Sequence, residues 1–161
     1  MLNLGNITLD VPFYQAPLSG YTDRAMRVLA HEYGAPLTYT GVILAKIALH
    51  KKAFNRLFFQ PKVDEGLVGA QILGGDPEIM AEAAAAFSNV GFNLIDLNFA
   101  CPAPKVLRRY SGGYLLKEPE TAIKIIQSVK NSVSCPVTIK LRAGFDKSQE
   151  SMDKLWQICQ G

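Results

Sequence analysis

Short apolar runs alternate along the chain with longer segments of helical periodicity. The apolar runs have the length of buried strands, and the segments between them place apolar residues three and four positions apart. Strands are predicted at Phe13–Leu18, Leu37–Leu44, Leu67–Leu73, Asn93–Phe99 and Pro136–Leu141. Helices are predicted at Asp23–Tyr33, Lys46–Phe59, Pro77–Asn89, Pro119–Ser132 and from Ser148 onward.

Capping residues mark the ends of several of these helices. Asp23 can cap the first helix and Gly34 can end it, while Asp76 followed by Pro77 is typical of a helix start. Gly91 ends that helix. The order of strands and helices along the chain is therefore marked by local signals as well as by periodicity.

Strands that alternate with helices at this spacing predict parallel βαβ units and an α/β fold. Five such units could form a doubly wound sheet. They could equally be the first five βα units of a TIM (β/α)8 barrel, which typically needs ~250 residues. The pattern alone does not distinguish these two architectures.

Composition narrows the class of protein. The chain has 161 residues, 48% hydrophobic and 19% charged, with a formal charge of +3 and a pI near 8.8. This balance is typical of a soluble globular protein and permits an anionic partner. Three separate cysteines without a CxxC motif indicate neither a disulfide framework nor a metal site. No signal peptide and no membrane-length apolar run of ~18 residues are found, so a cytoplasmic protein is expected.

Ligands of parallel α/β sheets bind at the carboxyl ends of the strands, where this sequence carries several polar residues. Lys140 interrupts the apolar run V-T-I-K-L, and it faces away from the helix layer if Val137, Ile139 and Leu141 face towards it. Lys140 then either contacts a ligand or forms an internal ion pair, for instance with Asp96. Gln71 in its apolar strand offers an amide to a heterocycle, or is an ordinary strand-end side chain.

Cys101 follows the fourth predicted strand and precedes a group of basic residues. Most unpaired cysteines simply pack as small apolar side chains. A partly exposed thiol beside Lys105, Arg108 and Arg109 has instead the electropositive setting of a reactive cysteine. Cys135 and Cys159 are interpreted as structural.

Four blocks of sequence together carry a family resemblance. The blocks are A-P-L-S-G-Y-T-D from Ala16, Q-I-L-G-G-D-P from Gln71, D-L-N-F-A-C-P from Asp96 and V-T-I-K-L-R from Val137. With these blocks in this order, the chain resembles the tRNA-dihydrouridine synthases, and the resemblance extends from about residue 8 to residue 158. It implies an FMN-dependent (β/α)8 barrel, followed in the family by a helical domain.

The resemblance also implies roles for residues at matching positions. The loop of Pro17, Leu18 and Ser19 would lie against the flavin, and Gln71 and Lys140 would contact its isoalloxazine ring. Asn98 would hold the flavin or the substrate base, and Cys101 would be the proton donor. NADPH would deliver hydride to FMN, hydride would pass to C6 of a tRNA uridine, and Cys101 would protonate C5.

Basic residues beyond the site would then meet the tRNA backbone. Lys105, Arg108 and Arg109 are the first candidates. A second group of basic residues could also meet the tRNA, but an ordinary solvated surface explains these charges at least as well. The second group comprises Lys46, Lys51, Lys52 and Arg56.

The sequence departs from the family pattern chiefly in its length. The family's late histidine motif and its glycine-rich phosphate loops have no counterpart here, so this chain is expected to be the N-terminal part of a longer enzyme, and activity of these 161 residues alone is not expected. Two alternatives stay open, namely a related FMN barrel acting on a free pyrimidine and an inactive RNA-binding fragment. The oligomeric state and the uridine position are not determined by the sequence.

Overall fold

A computed structural model describes residues 1–50 and 60–161. The chain begins with an antiparallel hairpin of β1 (Leu2–Leu4) and β2 (Ile7–Leu9), in which Leu2 is paired with Leu9. Gly5 lies in the turn with a φ of 60°. Strands of three residues are too short to show periodicity, which explains why the sequence pattern does not predict this hairpin.

The remaining strands form one parallel sheet in the order β3-β5-β6-β7, and β4 pairs with β5 beyond the end of β3. The predicted α/β class is therefore confirmed. The strands are β3 (Leu37–Tyr39), β4 (Ile43–Leu44), β5 (Leu67–Leu73), β6 (Leu94–Asn98) and β7 (Val137–Lys140). The helices are α1 (Arg24–Glu32), α2 (Ala45–Ala48), α3 (Pro77–Asn89), α4 (Pro104–Leu107), α5 (Pro119–Ser132) and α6 (Gln149–Gln160), with 3-10 turns at Val63–Glu65 and Gly112–Lys117.

The predicted helix caps are confirmed. The Asp23 side chain accepts a hydrogen bond from the Met26 amide at the start of α1, and Asp76 accepts two at the start of α3. The helix predicted from Lys46 to Phe59 is only partly described, because α2 covers Ala45–Ala48 and residues 51–59 lie outside the described residues.

The prediction of a strand at Phe13–Leu18 is wrong. This segment runs beside β3, and the Gln15 amide donates to the Leu37 carbonyl at 3.0 Å. In a regular ladder the Tyr39 amide would donate to a backbone carbonyl of the neighbouring strand. It donates instead to the side-chain oxygen Gln15 Oε1 at 3.3 Å. Pro17 has no N–H to offer a ladder. The segment therefore lies beside β3 without forming a strand.

The single strand predicted at Leu37–Leu44 is divided into β3 and β4. At the interruption, the Thr40 hydroxyl accepts from the Gln71 amide at 3.2 Å. Gly41 lies so close to the Leu18 carbonyl that a Cβ would be 3.1 Å from that oxygen. The break therefore brings the Leu18 loop against the sheet.

The two faces of the sheet are covered differently. Alternate residues of β5 and β6, including Val68, Ile72 and Leu97, pack with α3 and α5 in the larger hydrophobic core. The opposite face carries a smaller core of Leu9, Leu37, Tyr39 and Leu94, against which the β1-β2 hairpin packs. This second face, called the inner face below, is apolar near the amino ends of the strands and polar near their carboxyl ends.

Gly69 makes room for the buried Tyr39 ring on the inner face, because a Cβ at Gly69 would be 2.5 Å from Tyr39 Cε1. Gly69→Ala is expected to lower the free energy of unfolding by about 1–3 kcal/mol through overpacking. In a Tyr39→Leu background the same change is expected to cost less than about 0.5 kcal/mol, as a double-mutant cycle in urea would show. Equal costs in the two backgrounds would contradict this explanation.

Candidate functional site

Polar side chains from three adjacent strands meet on the inner face of the sheet. Gln71 of β5 is in register with Asp96 of β6, and Asp96 is in register with Thr138 of β7. One step further along, Asn98 is paired with Lys140. Val137, Ile139 and Leu141 pack towards the helices, which confirms the predicted direction of Lys140.

These side chains form one continuous chain of hydrogen bonds. Thr138 Oγ1 donates to Asp96 Oδ1 and Gln71 Nε2 donates to Asp96 Oδ2, each at 2.6 Å. Asn98 Nδ2 donates to Gln71 Oε1 at 2.8 Å. Gln71, Asp96 and Asn98 are all buried. Buried polar groups with several partners hold one another in a fixed geometry.

Asp96 is the acidic residue at the centre of this hydrogen-bonded chain of side chains. Burial raises the pKa of Asp96 above its ordinary value of 3.8, and the hydrogen bonds from Gln71 and Thr138 and the charge of Lys140 oppose that shift. Burial, followed by the negative charge of Asp96, raises the pKa of the nearby Tyr39 hydroxyl. Lys140 itself is exposed on the edge strand β7. It therefore interacts electrostatically with Asp96 while its ammonium group remains accessible.

The loop that carries Cys101 is held from both sides. Asn98 Oδ1 accepts from the amides of Ala100 at 3.2 Å and Cys101 at 3.0 Å. The Cys101 carbonyl accepts from the Gly113 amide at 2.9 Å. Gly112, with a φ of 60°, lies so close that a Cβ would be 2.9 Å from the same carbonyl. The half-buried Cys101 thus stands on a fixed backbone three residues past β6.

Cys101 opens onto a cavity of about 730 Å³, which is within the size range of small-molecule sites. Ser19 lines the same cavity, as do Lys105 and Arg109. A neighbouring cavity of about 450 Å³ is lined by Lys46, Arg108 and Arg109. No salt bridge joins any of these basic residues to a described residue. The thiol and the basic residues therefore share one surface.

The other predicted site residues differ in burial, and of the loop from Pro17 to Ser19 only Ser19 lines this cavity. Leu18 and Ser19 are exposed and Pro17 is half-buried, whereas Gln71 is only 1% exposed. The structure thus brings Ser19, Cys101, Lys105 and Arg109 together directly. Asn98 joins Cys101 to Gln71 through hydrogen bonds.

Several predictions concern residues away from the site. Lys51, Lys52 and Arg56 lie outside the described residues. Cys135 packs against the larger core, but Cys159 is exposed on α6. Among the described residues, no three His, Cys, Asp or Glu side chains are grouped to hold a metal ion, and no described helix is long and apolar enough to cross a membrane.

Sequence reasoning missed two members of the polar chain. The sequence pattern indicates Asp96 only as an ion-pair partner of Lys140, and it assigns no role to Thr138. The signal that could have identified Asp96 is its spacing of two residues from Asn98, because residues i and i+2 of a strand share a face. Thr138 has the same relation to Lys140.

The raised pKa of Asp96 predicts how stability depends on pH. The folded chain holds the Asp96 proton more tightly than the unfolded chain, so wild type loses stability as pH rises from about 4 through the raised pKa. Asp96→Asn has no proton to lose. The stability of wild type relative to Asp96→Asn is therefore expected to be highest near pH ~4 and lower at pH ~8, as urea unfolding would measure. An unchanged or opposite difference would contradict this prediction.

Comparison with known proteins identifies the family. The sequence pattern of the family described as Dihydrouridine synthase (Dus) matches residues 14–161. The chain is 34% identical over 159 residues to tRNA-dihydrouridine synthase B of Vibrio cholerae, covering 99% of this chain and 49% of the relative. It is 34% identical over 167 residues to a probable tRNA-dihydrouridine synthase of Rickettsia conorii, with 99% and 49% covered.

A further relative is tRNA-dihydrouridine synthase B of Escherichia coli strain K12, which is 33% identical over 159 residues, with 99% of this chain and 50% of the relative covered. The chain thus spans about half the length of the curated relatives it matches. The family match includes the Cys101 loop, β5 and β7. The chain therefore belongs to the dihydrouridine synthase family, and its parallel sheet is part of that family's (β/α)8 barrel.

Proposed function

We propose that this chain is the N-terminal half of the catalytic barrel of a tRNA-dihydrouridine synthase. The complete enzyme reduces the C5-C6 double bond of particular tRNA uridines, with FMN as its cofactor and NADPH as the source of electrons. The observation that carries the proposal is the position of Cys101. Its backbone amide is held by the buried Asn98 side chain, and Cys101 lines one cavity with Lys105 and Arg109, which form no salt bridge with a described residue.

The chemistry of the polar groups fits a flavin. Gln71 Nε2 and Asn98 Nδ2 each keep a second N–H that no hydrogen bond to a described residue uses. A flavin ring offers carbonyl oxygens and ring nitrogens to such donors. Lys140 adds an accessible positive charge on the same face, which would stabilise the negative charge that a bound flavin gains on reduction. Pro17, Leu18 and Ser19 would lie against the ring.

FMN, when bound, supplies the hydride chemistry of the reaction. The chain's own contribution is to hold the substrate base and to move a proton. Asn98 would hold the flavin or the base, and the Cys101 Sγ–H would donate its proton to C5 of the uridine as C6 is reduced. The hydrogen bonds of the Cys101 backbone to Asn98 and Gly113 support this role, because they would hold the loop while the thiol donates.

The basic residues favour tRNA over a free pyrimidine as the substrate. Lys105 and Arg109 line the cavity of Cys101, and Arg108 lines the adjacent cavity with Lys46. A free base carries no phosphate for such a surface to bind, whereas a folded RNA presents several. We therefore propose that Lys105, Arg108 and Arg109 contact the tRNA backbone beside the extruded uridine.

The proposal is tested with a chimera that continues this chain with the second half of the Vibrio cholerae relative. The chimera is expected to bind FMN, with absorbance near ~450 nm, to oxidise NADPH and to form dihydrouridine in unmodified tRNA. The 161-residue chain alone is the matched control. Binding of free uracil without binding of tRNA would support the pyrimidine alternative, and binding of tRNA without FMN would support an inactive RNA-binding fragment.

The salt dependence of tRNA binding tests the role of the basic residues. Arg108→Gln and Arg109→Gln are each expected to weaken tRNA binding and to reduce the slope of log Kd against log salt concentration by about 0.7–0.9. Lys130→Gln, on the exposed side of α5, is the control and is expected to change neither. A filter-binding titration at several salt concentrations measures the slope. Equal slopes for all four proteins would contradict the proposed contacts.

A further inference from the structure

Asp96 does not line the cavity of Cys101 or its neighbour, yet it lies at the centre of the hydrogen-bonded chain of Thr138, Gln71 and Asn98 that reaches the Cys101 loop. An ionised carboxylate can only accept hydrogen bonds. Both of its partners therefore donate, and the nitrogen of the Gln71 amide must face Asp96. This constraint determines the orientation of every amide that follows.

The orientation of each side-chain amide determines the orientation of the next one. Because Gln71 Nε2 faces Asp96, Gln71 Oε1 faces Asn98 and accepts from Asn98 Nδ2 at 2.8 Å. Asn98 Oδ1 is then left to face the loop, where it accepts from the Ala100 and Cys101 amides. With a donor in place of Asp96 both amides would reverse, and Asn98 would present its NH2 group to two backbone donors.

We infer that Asp96 is a positioning residue, which acts through Gln71 and Asn98 to fix the backbone that carries the Cys101 thiol. Removal of the single acceptor at Asp96 is enough for this effect to be lost, because it frees the Gln71 amide to rotate. The meaning of this inference for catalysis rests on the proposed function. The coupling between Asp96 and the loop does not.

The test measures amide hydrogen exchange by NMR in the 161-residue chain without flavin or tRNA. Asp96→Leu is expected to raise the exchange rates of the Ala100 and Cys101 amides on the order of tenfold, because both lose the Asn98 acceptor. The amides of Thr40 and Met80, which donate to backbone carbonyls elsewhere, are expected to change little. Asp96→Asn is expected to restore slow exchange, since its Oδ1 can accept from Gln71 while Thr138 accepts from its NH2.

Two further variants separate positioning from general stability. Thr138→Val removes the other hydrogen bond of Asp96 but leaves Gln71 oriented, so exchange at Ala100 and Cys101 is expected to stay slow. Gln71→Leu keeps Asp96 and breaks the chain at its middle, so it is expected to match Asp96→Leu and replaces that variant should it fail to fold.

The inference is overturned by unchanged exchange in Gln71→Leu, by an equal increase at Thr40 and Met80, or by failure of Asp96→Asn to restore slow exchange. The experiment involves neither cofactor nor substrate. A negative result would therefore leave the proposed function intact, and absence of synthase activity in the chimera would leave the coupling intact.

Discussion

Replacing Arg27 with methionine is expected to lower the free energy of unfolding by about 3–5 kcal/mol. Arg27 and Glu65 are both 0% exposed, and Arg27 Nε donates to Glu65 Oε2 at 2.6 Å. Without Arg27, the carboxylate of Glu65 loses its closest countercharge inside the protein. Arg24 Nε, at 3.5 Å from Glu65 Oε1, belongs to a partly exposed side chain and compensates only in part.

The same substitution is expected to loosen the loop next to the candidate site. Arg27 Nη1 donates to the Thr22 carbonyl at 3.3 Å, and the Thr22 hydroxyl donates to the Leu18 carbonyl at 3.0 Å while it accepts from the Leu18 amide at 3.2 Å. Arg27 therefore supports the turn that presents Leu18 and Ser19. Faster proteolysis within this turn would accompany the loss of stability.

Urea unfolding of wild type, Arg27→Met, Glu65→Leu and the double variant measures the effect. The double variant is expected to recover most of the loss, because apolar side chains replace both buried charges and leave neither uncompensated. Lys124→Met, an exposed position on α5, is the control and is expected to change stability by less than about 0.5 kcal/mol. A double variant as unstable as the sum of the single variants would contradict the ion-pair explanation.

Elements with strong local signals were predictable from the sequence. The bounds of β5 and α5 match the predicted ranges, because a long apolar run and a proline at the first helical position mark them. The segment Phe13–Leu18 has the same apolar character, but the Gln15 side chain takes the Tyr39 amide and no ladder forms. That outcome depends on a contact between residues 24 positions apart, which periodicity does not contain.

The individual residues of the candidate site were predictable from the sequence, but the hydrogen bonds between them were not. Strand ends and the family resemblance indicated Gln71, Asn98 and Cys101 one by one. Their hydrogen bonds join different strands, and Asp96 enters through partners 25 and 42 residues away in the sequence. The Arg27–Glu65 pair likewise spans 38 residues. Such pairs depend on how the elements pack, so an isolated sequence shows the residue types without the pairing.

Replacing Cys101 with alanine in the chimeric barrel is expected to slow dihydrouridine formation by about 10²–10⁴-fold, the usual contribution of a general acid. Oxidation of NADPH, followed as bleaching of the flavin absorbance, is expected to change less than about twofold, because that half-reaction needs no proton on C5 of the uridine. Single-turnover experiments with bound FMN measure the two half-reactions separately.

Two matched variants make this prediction specific to the thiol. Cys135→Ala removes a cysteine that packs against the larger core, and it is expected to leave both half-reactions unchanged. Cys101→Ser keeps a small side chain on the same fixed loop but replaces the thiol by a much weaker acid, so it is expected to be nearly as slow as alanine. Because Asn98 and Gly113 hold the Cys101 backbone and not its Sγ, both substitutions leave the loop in place. Loss of NADPH oxidation with unchanged reduction of tRNA would show that Cys101 acts on the cofactor and not on the uridine.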